Sequence, residues 1–264
     1  MRKNYKELVH LRVMWEKRGQ VTIFVILALV LVLIVLVIFL YPRLPFITET
    51  NFSPTAYLTS CLDKPAREQL AFLAKQGGYA HPEGVLQFQG NVIKYLCYTS
   101  ENYKTCVIQQ PMVKEHLEQE LSKLLQTQAE QCAQQLKQEY ERRGYSTSLG
   151  TAQTQSQLNP GKLNIIITAP LTVTKTSTQS FRSFSLEIQS EMYDLILTAQ
   201  SILDYESTLG DSETTSYIRY YPDLTIEKIK LSEGSKVYTL KNVITQEQFK
   251  FATRSLSWPP GYGL

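Results

Sequence analysis

Three histidines, four cysteines and a knot of tyrosines are the residues of this 264-residue chain whose types could carry chemistry. His116 precedes Glu120 by one helical turn in "KEHLEQE", a spacing at which an imidazole and a carboxylate can share a metal ion. One His and one Glu on an amphipathic helix also make an ordinary solvated face, and no metal is expected there. His81 sits in "GGYAHPEG", a Gly/Pro-framed loop with Glu83 close by, which reads as a turn, with a functional loop as the alternative. His10 precedes a long apolar run and is separated by it from the other two. "GDSE" at Gly210–Glu213 has the look of a serine-esterase motif, but such enzymes need a histidine after the serine and none follows His116. The chain has no GxSxG, no phosphate-cradling glycine loop and no GxGxxG. A carboxylate pair for glycoside chemistry stays open, because spacing alone does not say which acids face one another. No catalytic residue, cofactor or metal is predicted, and the chain is not read as an enzyme.

The cysteines point to structure instead. All four follow the apolar run, an even number in a segment read as lying in an oxidising compartment. Cys97 and Cys106 flank "YTSENYKT", a natural hairpin loop, which pairs them and leaves Cys61 with Cys132, each on an apolar helix face. CxxC-type spacing for zinc is absent.

Tyrosine is the compositional oddity, sixteen residues against ten phenylalanines. "YIRYYPD" gathers Tyr217, Arg219, Tyr220 and Tyr221, the aromatic-plus-arginine mixture enriched at interfaces, so it is a candidate binding surface for a protein or a glycan. Packing within strands is the plainer reading of the same residues. Asn51, in "NFS", is a candidate glycosylation site weakened by Pro54, and the terminal "SWPPGYGL" is too rich in Pro and Gly for regular structure.

Where these groups act depends on the apolar run. Val21 to Leu40 is twenty residues without charge, Pro or Gly, about 30 Å as a helix, which predicts a transmembrane helix over 21–40. A cleaved secretory signal has a shorter apolar region and a small-x-small site, whereas "YPRLPF" follows here. Six basic residues ahead of the run stand against Glu7 and Glu16, a net +4 that leaves −1 of the total +3 for the remainder. That bias predicts a cytoplasmic N-terminus, a signal anchor in the plasma membrane and an ectodomain outside, with the bilayer as one partner. The ectodomain has no electrostatic case for nucleic acid. Thr22 and Ala28, six apart, give no small-xxx-small seam.

"KRGQVTIF" resembles the start of archaeal surface proteins with class III, type IV prepilin-like signal peptides, in which a basic leader ends in Lys/Arg-Gly ahead of an apolar helix. The resemblance covers about a tenth of the chain. It implies a processing site between Gly19 and Gln20 and a pilin-like subunit assembled through the helix. The chain has Phe24 where bacterial-type pilins usually carry Glu, and Pro42 and Pro45 disfavour a straight continuation of the helix. With "LAKQGGYAHPEG", the start is also similar to a group of uncharacterised archaeal anchored proteins, from which no activity follows.

The predicted organisation is a basic tail or leader over 1–20, the apolar helix over 21–40 and a linker over 41–52. A helical region with a β-hairpin follows over 53–144, then a β-rich α+β region over 145–264. Ser53 and Pro54 start a helix carrying Leu58, Cys61, Leu62, Leu70 and Leu73, ended by Gly77-Gly78, with Pro65 expected to kink or divide it. Alternation predicts a hairpin between Val85 and Ile108. A long helix from Pro111 to Arg143 carries Val113, Leu117, Leu121, Leu124, Ala129, Cys132, Leu136 and Tyr140 on one face. Beyond it, "KLNIIITAPLTVTKTST" and "SFRSFSLEIQ" predict strands. A helix capped by Ser190 turns Met192, Leu195, Ile196, Ala199 and Leu203 inward, a hairpin turns at Glu233-Gly234-Ser235, and a last strand sets Phe249 and Phe251 on one face. The expected fold class is α+β: one transmembrane helix, a disulfide-stapled helical region and an antiparallel sheet with a packed helix. The expected function is a membrane-anchored cell-surface protein whose ectodomain binds a protein, a glycan or its own copies. The alternatives are the pilin-like subunit and an extracytoplasmic hydrolase.

Overall fold

The structure, a computed structural model, describes residues 19–40 and 52–255. The basic tail up to residue 18, the linker over 41–51 with Asn51, and the terminal "SWPPGYGL" lie outside the described residues. The chain divides into two compact units, one ending at Phe52 and one beginning at Ser53.

The first unit contains α1 (Gly19–Leu40), whose side chains are described from Thr22 to Val37 and are exposed. Among the described residues no helix is long and apolar enough to cross a membrane. The expectation of a transmembrane helix over 21–40, and the signal anchor drawn from it, is corrected by this.

The second unit is α+β. Its elements run α2 (Pro54–Lys75), β1 (Val85–Phe88), β2 (Asn91–Tyr98), β3 (Val107–Ile108), α3 (Val113–Arg142), β4 (Ser146–Leu149), β5 (Gln153–Asn159), β6 (Lys162–Thr174) and β7 (Thr178–Gln189). They continue with α4 (Met192–Leu209), α5 (Thr215–Tyr220), β8 (Leu224–Lys230), β9 (Ser235–Asn242) and β10 (Gln248–Arg254). There are two sheets where one was expected. The six-stranded sheet has the order β1-β2-β10-β9-β8, with β3 also on β2, and its central β2–β10 pair is parallel. The four-stranded sheet is centred on β6, flanked by β7 on one pairing and by β4 and β5 on the other, all antiparallel. Helices α2 and α4 pack against strands of both sheets, and α3 lies against α2 and the four-stranded sheet.

Local chemistry explains most of these elements. Ser53 Oγ accepts the Ala56 amide at 3.2 Å and Pro54 fills the first helical turn, so α2 starts where its residues dictate. It then runs through Pro65 undivided, with Leu58 and Leu62 buried before the proline and Ala66, Leu70 and Leu73 buried after it. Burial on both sides keeps the helix continuous despite the lost backbone bond. In α3 the buried stripe passes through Leu125, with Leu124 half-exposed beside it, because steps of four from Leu121 to Ala129 keep to one face. The β1–β2 hairpin turns at Gln89-Gly90, both at positive φ, the backbone a two-residue hairpin turn requires. Two disulfides close the unit: Cys61–Cys132 staples α2 to α3, and Cys97–Cys106 closes the loop between β2 and β3.

The main core lies where the helices meet the sheets. Tyr238, Phe249 and Phe251 are fully buried on the six-stranded sheet, with Tyr238 stacked on Phe251 at 5.2 Å between centroids. Leu163, Ile165, Ile167, Leu186 and Ile188 form the buried side of the four-stranded sheet.

Candidate functional site

The strongest concentration of polar chemistry is buried. Glu206, on the last turn of α4, is 0% exposed, and its carboxylate meets three side chains of the six-stranded sheet. Lys236 Nζ donates to both oxygens at 3.0 and 2.8 Å, Tyr238 donates its hydroxyl to Oε1, and Thr253 Oγ1 donates to Oε2 at 3.2 Å. The Ser212 amide adds a bond to Oε1 at 3.2 Å. Lys236 and Tyr238 share one strand face by their spacing of two, and Thr253 pairs with Lys236 across the β9–β10 ladder. Lys236 Nζ is completed by the Gly210 carbonyl and by Asp211 Oδ1 at 3.2 Å. Burial together with the Glu206 charge pushes the Tyr238 hydroxyl far above its usual range, so it stays a neutral donor. Every polar atom named here is engaged, so this network locks α4 onto the sheet.

At its rim, Asp211 is held by Lys228 and Lys230 as well as Lys236. The lysines hold its carboxyl well below the usual carboxylate range, against the opposing effect of partial burial. The "GDSE" serine, Ser212, is buried; its amide serves Glu206 and its carbonyl accepts Lys228 Nζ at 2.7 Å. No histidine belongs to this group of contacts.

The accessible chemistry lies on the outer side of α4. Gly210, at φ 78°, ends that helix in the left-handed conformation and lets the chain return as α5. Ser201 on α4 and Tyr217 on α5 share a hydrogen bond of 2.7 Å between hydroxyls. Two clefts adjoin that bond and have Ser201, Tyr217 and Tyr221 in common. One, of about 530 Å³, is completed by Tyr205, Leu209, Asp211, Glu213, Ser216 and Tyr220. The other, of about 390 Å³, is completed by residues that include Glu191, Asp194, Leu197, Pro222, Asp223 and Asn242. Tyr220 is 79% exposed, Tyr221 58% and Tyr205 50%, large values for aromatic side chains. Five carboxylates line the two clefts, and among the described residues no lysine, arginine or histidine does.

Electrostatics follow from that lining. Glu191 is pushed up from the usual carboxylate range, first by partial burial and then by repulsion from Asp194, Glu247 and Asp223. Glu247 is committed to the start of α4: it accepts the Ser190 hydroxyl at 2.7 Å and the Glu191 amide at 2.6 Å. Ser190 Oγ in turn accepts the Met192 amide at 3.2 Å.

Of the expected binding residues, Tyr217 and Tyr221 line both clefts, Tyr220 lines one, and Arg219 is exposed on α5 without lining either. Tyr205, Leu197, Leu209 and the acidic rim went unread. A second stripe on α4 at steps of four, Leu197, Ser201, Tyr205 and Leu209, is the signal that marks them.

The histidines stand elsewhere. His116 packs against the Tyr79 ring at 3.9 Å between centroids, and burial lowers its pKa. Glu120, one turn on, accepts the Ala80 amide at 3.3 Å and Lys123 Nζ at 2.9 Å. His81 is exposed. Among the described residues there is no group of three or more His, Cys, Asp or Glu side chains placed to hold a metal ion. Compared with protein-family models, curated proteins and solved structures, the chain matches none.

Proposed function

We propose that the unit beginning at Ser53 is a binding domain that works outside the cytoplasm, and that the α4–α5 surface is where it holds its partner. The observation that carries this reading is the set of exposed aromatic side chains around the two clefts. Tyr205, Tyr220 and Tyr221 stand in solvent, each at least half exposed, although the same unit buries Tyr238, Phe249 and Phe251 completely. Exposed aromatics gathered at a concave surface offer apolar area and a hydrogen-bonding tip, the combination on which partners anchor.

Two disulfides support a place outside the reducing cytosol. The commitment of Glu206, Asp211, Lys236 and Tyr238 to one another supports binding over catalysis, since the buried ionisable groups serve to fix α4 and with it the surface. The Ser201–Tyr217 bond and the Gly210 turn fix α5 beside α4, so the clefts are formed before any partner arrives.

The test is a screen of the full chain against arrayed peptides and oligosaccharides, run beside the Tyr220→Ala/Tyr221→Ala variant. At least one ligand class should be held by the parent chain and lost from the variant, whose thermal unfolding should be unchanged. Equal binding by the two proteins, or binding by neither, sinks the reading.

A further inference from the structure

The lining of the two clefts has a sign. Glu191, Asp194 and Asp223 on one side and Asp211 and Glu213 on the other present carboxylates among tyrosine rings, with no basic side chain in either lining. Asp211 is neutralised by its three lysines. Among the described residues, Glu191, Asp194 and Asp223 form no ion pair with any lysine or arginine. Glu191 is pushed up from the usual carboxylate range first by partial burial and then by repulsion from Asp194, Glu247 and Asp223. A cation in the cleft would relieve that repulsion.

We propose, building on the binding-domain reading, that the α4–α5 surface takes a basic segment of a partner protein. Its lysine or arginine side chains enter the clefts between the carboxylates and the tyrosine rings. Three features favour this occupant. A tyrosine face attracts a cation through its quadrupole, and the long stems of Lys and Arg cover apolar surface such as Leu197 and Leu209, which are 47% and 48% exposed. The clefts share Ser201, Tyr217 and Tyr221, so two basic side chains of one extended segment can fill both. Volumes of about 390 and 530 Å³ lie in the range that holds a small ligand or a long side chain.

Other occupants fit less well. A neutral glycan would stack on the tyrosines but leave Glu191, Asp194 and Asp223 uncompensated. A nucleic acid would be repelled by them. A second copy placed two-fold against this surface would set carboxylates against carboxylates.

The experiment measures binding of the full chain to fluorescent peptides in which Lys or Arg alternates with Ser, beside Glu/Ser peptides and neutral oligosaccharides. The Lys and Arg peptides should bind, and rising salt should weaken them roughly tenfold or more. Asp194→Asn/Asp223→Asn should weaken them by a similar factor, whereas Glu68→Gln/Glu130→Gln, which removes two exposed carboxylates lining neither cleft, should not. Thermal melts of all variants establish that each is folded. Equal loss in the two carboxylate pairs would overturn the proposal, because binding would then follow overall charge. If a neutral oligosaccharide or an acidic peptide binds instead and is lost with Tyr220→Ala/Tyr221→Ala, this proposal falls and the binding domain stands. If no probe binds, both fall.

Discussion

Glu206 is fully buried, and its carboxylate oxygens are met by Lys236, Tyr238, Thr253 and the Ser212 amide. Removing one partner of such a pair strands the other in a low-dielectric interior. Glu206→Gln and Lys236→Met are each expected to lower the unfolding free energy by about 3–5 kcal/mol in chemical denaturation. The double variant should cost less than the sum of the two, with a coupling of about 1–3 kcal/mol. Additive losses would mean that the groups act separately and that the network is not a unit. Glu206 was not legible as part of a site. In "SILDYESTLG" it looks like one more polar residue on a helix, and only the partners on β9 and β10, both later in the chain, make it a buried acid. Tyr217, Tyr220 and Tyr221 could be singled out because they cluster locally with Arg219, whereas Tyr205 stands apart from them on α4. The carboxylates around them are scattered from Glu191 to Asp223, and only the fold collects them.

Among the elements, the pair α2 and α3 shows most directly how a sequence pattern becomes a joint. Each helix presents leucines at steps of three and four, and Cys61 and Cys132 sit where those faces meet. The two disulfides differ in what they constrain: Cys61–Cys132 spans 71 residues and Cys97–Cys106 only 9. Loop-closure entropy then predicts about 4 kcal/mol of stabilisation from the first and about 2.5 kcal/mol from the second. Cys61→Ser/Cys132→Ser should therefore lower the denaturation midpoint more than Cys97→Ser/Cys106→Ser does. The reverse order would show that the short bridge acts on the native state, by holding the loop between β2 and β3. Helix faces, the Ser53 cap and the disulfide pairs were readable because their signals lie within one or two turns or at a loop's two ends, whereas Ser190, expected to cap α4, stands one residue ahead of its N-cap Glu191. Pro65 misleads as a helix breaker because tertiary burial on both of its sides outweighs one missing backbone bond. Hydropathy over 21–40 was read as a membrane span, whereas among the described residues no helix is long and apolar enough to cross a membrane.

For the whole molecule, the decisive contact is the one no local pattern announces. β2, from the first region expected in the sequence, lies parallel to β10, from the end of the second, and the two are separated by most of the chain. Parallel neighbours have no connecting turn to betray them, so the regions over 53–144 and 145–264 read as separate while the structure weaves them into one sheet. The consequence can be tested by division. Without 145–264, β2 lacks its parallel partner and α2 and α3 lose the four-stranded sheet beneath them. Without 53–144, β10 keeps only β9, and Phe249 and Phe251 lose the cover that α2 gives their strand. Neither fragment then closes a core around its large apolar side chains, and neither should unfold cooperatively when produced alone. Mixed under oxidising conditions, the two should associate and recover a single thermal transition, because every strand of the six-stranded sheet again finds its neighbour. Circular dichroism melts of each fragment and of the mixture decide the matter. A sharp, independent transition in either fragment would mean that the parallel pair joins two finished domains and does not complete one core.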